Sequence, residues 1–220
     1  MSSTLRSGPV ATAIEELYRK ADDQRRNRAG GGGRPGFEAG SAQERADAMA
    51  EVYMPIAPMA GQLLYSLIRA ARPEVVVEFG MSFGISTLHL AAAVRDNGVG
   101  RVYTTELSET KIASAAATFA DAGVADVITV LPGDARTTLA GVPGPVAVVL
   151  LDGWKEMYLE VLTLLQPSLS PGALVIADNT ESAGAQPYLA HVRAPESGYV
   201  SVNFPGKQND TMEISCWAGR

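Results

Sequence analysis

The chain has 220 residues, with 18 Lys and Arg against 24 Asp and Glu, for a formal net charge of −6. Hydrophobic residues make up 46% and charged residues 19%, which excludes a disordered chain and fits one domain that buries its own core. A net anion repels phosphate backbones and anionic lipid, so the charge argues against a nucleic-acid binder and a membrane-surface protein.

Residues 10–22 place Ile14, Leu17 and Tyr18 on one side of a helix. Residues 25–40, RRNRAGGGGRPGFEAG, then predict a flexible loop, because four glycines and a proline cannot hold a helix. Four arginines make that loop basic, so a lid or arm beside an anionic ligand is its sharper alternative. A helix restarts over 41–53, where Ser41 and Glu44 have capping-box spacing. Another covers 58–71 and stops before Pro73. From residue 74, short β-branched runs at 75–79, 101–106, 126–131, 146–151 and 173–178 alternate with helical segments at 85–96, 109–122, 134–140 and 155–168. That alternation predicts a buried parallel sheet. A helix near 185–194 precedes two strands near 199–204 and 211–218, which the turn PGKQND joins as an antiparallel hairpin. His89 reads as core, His191 as surface and Cys216 as a small core residue.

A single cysteine forms neither an intramolecular disulfide nor a cysteine zinc site, which suits a reducing, cytoplasmic compartment. No apolar run reaches membrane-spanning length, and MSSTLRSGPV lacks the apolar stretch of a secretory signal.

In open α/β sheets, ligands bind beyond the carboxyl ends of the strands. The first run ends in EFGMSFGIST, a glycine-rich turn opening a helix (Glu78 to Thr87). Its G-x-x-x-G spacing differs from the dinucleotide fingerprint, and it has no Lys or Arg to meet a pyrophosphate. Glu106, at the end of the second run, stands where an acid binds a ribose diol. A ribose acid without phosphate-binding features fits S-adenosylmethionine. Asp134, after the third run, is placed to face an adenine amino group or to cap the next helix. Asp152 follows the fourth run, and Asp178 with Asn179 follows the fifth. Two carboxylates and an amide oxygen from adjacent strand ends are hard ligands that suit Mg²⁺. Lys155 stands three residues past Asp152.

The segments VVVEFGMSFGIST, YTTEL, LLDGWKEMYL, LVIADN and DTMEI resemble the small, magnesium-dependent O-methyltransferases of the catechol O-methyltransferase type. These are class I S-adenosylmethionine-dependent enzymes. The resemblance runs from Met54 to Trp217. It divides the chain into N-terminal helices with the glycine-rich loop (1–53) and a methyltransferase domain (54–220). It implies a doubly wound, mostly parallel seven-stranded sheet with one antiparallel strand, helices on both faces and an N-terminal helical extension.

Residue by residue, the resemblance implies that Asp152, Asp178 and Asn179 bind Mg²⁺ and that Lys155 is the general base. Glu106 would bind the ribose, with Leu107 beside it. Gly80 and Ser86 would shape the turn around the methionine part, with Glu78 opening it. Ala135 and Arg136 would lie beside the adenine, next to Asp134, and Trp154 would pack near it. Met54 and Ile56 would cover the cofactor. Glu213 would hold the second acceptor hydroxyl, and Lys155 and Asn179 would face the acceptor as well. Gly153 departs from the pattern, because a well-known member has a His there. The first 50 residues do not match the family.

The implied reaction moves a methyl group from S-adenosylmethionine to a hydroxyl of a small vicinal diol, a catechol or a sugar. Two further readings stay open: a metal-independent methyltransferase acting on nitrogen or carbon, and a non-catalytic nucleoside-binding protein. Neither makes use of the full set of Asp152, Asp178, Asn179 and Lys155. A homodimer is expected, because the N-terminal helices carry apolar faces with no evident place in the sheet.

Overall fold

A computed structural model of the chain describes residues 3–29, 40–205 and 210–219. The first helix, α1 (Gly8–Ala29), runs past the predicted break at residue 25. Intrahelical ion pairs carry it on: Lys20 to Glu16 at 2.9 Å, Arg19 to Asp23 at 3.0 Å and Arg25 to Asp22 at 3.3 Å. Arg26 and Arg28 occupy its last turn, where cations meet the negative end of the helix dipole. The remainder of the expected loop, residues 30–39, lies outside the described residues.

The second helix, α2 (Ala42–Ala48), starts at the expected capping box. Glu44 N–H donates to Ser41 Oγ at 3.2 Å, and Ser41 N–H donates to Glu44 Oε2 at 2.7 Å. It ends five residues earlier than expected. Tyr53 N–H donates to Gln24 Oε1 of α1 at 2.9 Å, and Gln24 Nε2 donates to the Glu51 carbonyl at 2.6 Å. That side chain satisfies backbone groups a longer helix would have paired, and draws 52–57 out as an extended segment. The third helix is α3 (Pro58–Ala71).

The alternating region forms β1 (Val75–Phe79), α4 (Ile85–Asn97), β2 (Arg101–Glu106), α5 (Glu109–Asp121), β3 (Ile128–Pro132), α6 (Ala135–Thr138), β4 (Val146–Leu151), α7 (Tyr158–Leu165), β5 (Leu169–Ala177), α8 (Gln186–Arg193), β6 (Tyr199–Pro205) and β7 (Thr211–Trp217). β5 begins four residues before the predicted run. Val146 pairs with Leu169, the register then shifts, and Val148 pairs with Leu174, so Ser170 to Ala173 absorb an irregularity.

The sheet order is β3-β2-β1-β4-β5-β7-β6. The first five of these strands are parallel, and β7 runs antiparallel to both β5 and β6. The hairpin therefore does not simply add an outer edge. Its second strand inserts next to β5, and its first strand takes the rim. The chain leaves β1 in one direction through β2 and β3, then returns to place β4 on the other side. That makes β1/β4 the switch point where a cleft opens.

Strand residues alternate between two covered faces, so the central runs are mostly apolar, with Glu78 of β1 an exception. Val76, Val148 and Ile176 face a core shared with Leu64, Leu88 and Phe119 of α3, α4 and α5. Val77, Val149 and Leu151 face Tyr158, Leu162 and Tyr188 of α7 and α8. Val10, Ile14 and Leu17 of α1 join the first core. The apolar face on which a dimer was expected is thus buried within one chain. His89 is also in that core, with Nδ1 2.8 Å from the Ile85 carbonyl. Cys216 and His191 are half-buried. Among the described residues no helix is long and apolar enough to cross a membrane.

Candidate functional site

A cleft of about 940 Å³ opens at the carboxyl ends of β1, β2 and β4, and the extended segment after α2 forms one wall of it. Its floor is the turn after β1. Gly80 has φ +99°, and a Cβ there would stand 2.6 Å from the Gly153 nitrogen. Gly84 has φ +85°, and a Cβ there would strike the Phe119 ring at 2.6 Å. Both positions demand glycine for conformation and for space. The turn leads into α4, whose N-terminus has no side-chain cap and whose Ile85 and Ser86 line the cleft. Free N–H groups at such an end suit a carboxylate.

Glu78 sits under this turn and is fully buried, so it supports the floor rather than lining it. Thr87 Oγ1 donates to it at 2.5 Å, and Thr104 Oγ1 donates to the same oxygen. Burial pushes the Glu78 carboxyl above the usual range, against the pull of these hydroxyls.

Glu106 lines the cleft and knits the second loop together. It accepts from the backbone N–H groups of Ser82 at 2.8 Å and of Leu107 and Ser108 at 2.9 Å each. Leu107, Met54 and Ile56 also line the cleft, as expected. Asp134 lines it too, but its carboxylate caps α6 through the Arg136 N–H at 2.9 Å and grips the Arg136 guanidinium at 3.0 Å. That guanidinium beside it holds the Asp134 carboxyl below the usual carboxylate range. The capping alternative is the one realised. Ala135 reaches the cleft and Arg136 does not, because its side chain turns to Asp134 and Glu160.

At the ends of β4 and β5, Asp152, Trp154, Lys155 and Asn179 line the cleft. Lys155 Nζ lies 3.2 Å from Asp152 Oδ1 and 5.2 Å from the Tyr158 ring centre. Asp178 is almost fully buried just behind, with its N–H donated to the Leu151 carbonyl at 3.0 Å. Tyr158 OH donates to the Asp178 carbonyl at 2.9 Å. Burial raises the Tyr158 phenol well above its usual range, and the Asp152 and Asp178 charges add to it, so both carboxylates bear on one buried ring. Asn179 has φ +58°, a left-handed conformation asparagine tolerates, and its Nδ2 donates to Asp210 Oδ2 at 2.6 Å.

Glu213 is not at the cleft. It is 1% exposed on β7, and Arg193 of α8 clamps both its oxygens at 2.8 and 2.6 Å. Asn203 donates to it at 3.2 Å. Burial opposes ionisation there, but the Arg193 and Asn203 bonds together hold the carboxyl below the usual range. The carry-over thus put an acceptor-binding role on a residue whose carboxylate is already consumed by the fold. Met212 likewise belongs to the core.

Gly153 has a physical reason. A Cβ there would strike the Phe79 ring at 2.4 Å, so Phe79 occupies the volume that a side chain at 153 would need.

Three cleft residues, Lys111, Arg45 and Gln24, carried no local signal. Lys111 of α5 is 3% exposed, with Nζ 5.5 Å from the Phe83 ring centre. Burial pulls its amine below the usual lysine range, and the Glu106 charge opposes that. Phe83 stacks on Tyr53 with centroids 4.1 Å apart. Arg45 of α2 lies 4.4 Å over the Trp154 ring and pairs with Glu156. Gln24 ties α1 to this wall. These three meet the site through α1, α2 and the first turn of α5, where periodicity reports burial but not partner.

Among the described residues no group of three or more His, Cys, Asp or Glu forms a metal site. The donor set is two carboxylates and one amide, oxygen ligands at adjoining strand ends, which fits a hard divalent cation.

A family model described as a methyltransferase domain matches residues 77–180. Over 144 residues the chain is 33% identical to a protein of Mycobacterium tuberculosis named Probable O-methyltransferase Rv1703c, and the match covers 60% of each. The chain therefore spans only about three-fifths of that relative's length. It is 31% identical over 140 residues to catechol O-methyltransferase of Sus scrofa, covering 60% of this chain and 74% of the relative. Among solved structures, the O-methyltransferase TomG of Streptomyces achromogenes, in complex with S-adenosylmethionine, is 26% identical with a TM-score of 0.68, over 83% of this chain and 92% of that one. Given this sheet, this turn and these matches, the chain belongs to the class I S-adenosylmethionine-dependent O-methyltransferases of the catechol O-methyltransferase type.

Proposed function

We propose that this protein methylates one hydroxyl of a small vicinal diol, a catechol or a sugar cis-diol, with S-adenosylmethionine as donor and Mg²⁺ as metal. The observation that carries this reading is the meeting of Asp152, Lys155 and Asn179 on the same cleft as the glycine turn and Glu106.

Glu106 holds the second loop in the shape that presents its carboxylate to a ribose. The α4 N-terminus offers N–H groups to the carboxylate of the methionine part. Met54 and Ile56 cover the cofactor, and the stacked pair of half-buried Tyr53 and buried Phe83 stiffens that cover. Asp152, Asp178 and Asn179 would hold Mg²⁺. When bound, that ion supplies Lewis acidity that lowers a hydroxyl pKa, and a template for two neighbouring oxygens.

Methyl transfer is an in-line displacement: an oxygen–carbon bond forms as the carbon–sulfur bond breaks, and S-adenosylhomocysteine leaves. Lys155 Nζ accepts the hydroxyl proton. In the free chain its ammonium is paired with Asp152 at 3.2 Å. Asp152, its partner, is also one of the residues that would hold the ion. Trp154, with Arg45 over its ring, walls the same side and limits water. A small-molecule acceptor in a cytoplasmic setting suits this cleft and the single thiol.

Labelled S-adenosylmethionine with a panel of catechols and sugar diols, with and without Mg²⁺, tests the reading. Transfer that stops on EDTA addition and returns with Mg²⁺ supports it. Turnover indifferent to EDTA overturns the metal, and turnover only on amines or carbon acids overturns the acceptor.

A further inference from the structure

We infer that Asp210 is a positioning residue for the metal site: it fixes which end of the Asn179 amide faces the cleft. The inference rests on the Mg²⁺ reading above and adds a residue from β7's entrance, 31 positions away in sequence from Asn179.

The argument starts from the chemistry of the two side chains. A primary amide has a donor end and an acceptor end of nearly the same size and shape. Only the oxygen can ligate a hard cation. A metal ligand of this kind therefore needs something to decide its rotation about the last bond. A carboxylate decides it, because it only accepts. Asn179 Nδ2 donates to Asp210 Oδ2 at 2.6 Å. The amide oxygen is left on the other side, and among the described residues no hydrogen bond ends on it. The reversed amide would set oxygen against oxygen in a half-buried place.

Asp210 is itself held. Its Oδ1 accepts the Thr211 N–H at 2.9 Å. The neighbouring pair is latched as well: Thr180 N–H and Thr180 Oγ1 both reach the Thr211 carbonyl at 3.0 Å, and the two threonine hydroxyls lie 2.6 Å apart. This latch carries the register of the antiparallel β5/β7 pair, in which Ala177 faces Glu213, out to the ligand loop. Asp210 does not line the cleft, so it works through Asn179 and not on the acceptor.

The test is a cycle of four proteins, wild type, Asp210→Ala, Asn179→Ala and the double variant, titrated with Mn²⁺ alone and read by electron paramagnetic resonance of the free ion. Removing a partner that orients a metal ligand costs about 10-fold or more in affinity. We expect that loss for Asp210→Ala in the wild-type background and no further loss in the Asn179→Ala background. A loss of equal size in both backgrounds means that Asp210 acts by its own charge or as a direct ligand, and overturns the inference. Unchanged affinity in Asp210→Ala overturns it too. Failure of the wild type to bind Mn²⁺ overturns the metal reading itself, which separates the two. S-adenosylhomocysteine affinity, set by the other half of the cleft, reports folding. If Asp210→Ala does not fold, Asp210→Asn takes its place; it keeps an acceptor but adds a donor, and is expected to lie between wild type and Asn179→Ala.

Discussion

The two halves of the cleft are built in different ways. At the ends of β1 and β2, the work is done by backbone: two glycines that no other residue replaces, an uncapped helix end, and three N–H groups gathered by Glu106. At the ends of β4, β5 and β7, it is done by side chains: Lys155 pairs locally with Asp152, Asn179 reaches Asp210, and Tyr158 reaches the Asp178 carbonyl. The first half is shaped before any ligand arrives. The second is a set of polar groups, each held in place by a specific partner. A nucleoside cofactor common to many methyltransferases suits the first construction, and a chemistry tuned by single side chains suits the second.

This contrast can be broken most severely in the side-chain half. Asp178→Asn keeps the volume and removes a charge. It should cut kcat/KM for a diol by about 10³-fold, in keeping with several kcal/mol of lost Lewis-acid stabilisation. S-adenosylhomocysteine binding by calorimetry should stay at the wild-type level; its loss would mean the halves are not separable. In the backbone half, Gly80→Ala meets both a positive φ and the Gly153 nitrogen. A cost of about 3 kcal/mol is expected in chemical denaturation, with cofactor affinity falling in step. Gly153→His should cost about 1–3 kcal/mol by overpacking against Phe79. Adding Phe79→Ala should return part of it, and no coupling between the two in a double-variant cycle would sink the explanation given for Gly153.

Two smaller effects sharpen the boundary. Glu213→Gln should lower the melting temperature, because Arg193 loses its anion, and leave the KM for the acceptor unchanged. A raised KM would return Glu213 to the site. Glu78→Gln gives the smallest effect, visible as a pH dependence. The raised carboxyl means the folded chain keeps a proton that the unfolded chain releases above about pH 4.3. Stability therefore falls as pH rises through that window. The variant lacks this loss, so its melting temperature should gain on wild type as pH rises above about 4.3.

The sequence reading succeeds where local pattern is enough. The five parallel strands, the turn after β1, Glu106 and the Asp152/Lys155 pair are read from residues near one another, and each stands at its expected strand end. It fails where distant partners decide. The arginines at 25–28 continue α1, because acidic residues one turn back pair with their neighbours. Residues 49–53 leave the helix because Gln24 claims their backbone. Arg136 and Glu213 carry the right residue types at the matching positions, but each is taken by a partner, Asp134 and Arg193. Asp210 sat within a turn-rich hexapeptide. Nothing in that hexapeptide says that its carboxylate reaches the loop after β5.

The insertion of β7 between β5 and β6 has a consequence for the order of assembly. β6 comes first in the chain, yet among the described residues its only neighbour in the sheet is β7. β6 reaches the rest of the sheet only through β7, so a hairpin of the two is the simplest unit to dock on β5. Until then β5 presents an open edge, the kind of surface on which partly made chains associate. Asp210 and Asn179 meet only when that hairpin docks. If the hairpin docks last, pulsed hydrogen exchange during refolding should show protection in β1 and β4 ahead of β7. Protein caught between the two stages would take up S-adenosylhomocysteine but hold a divalent ion weakly.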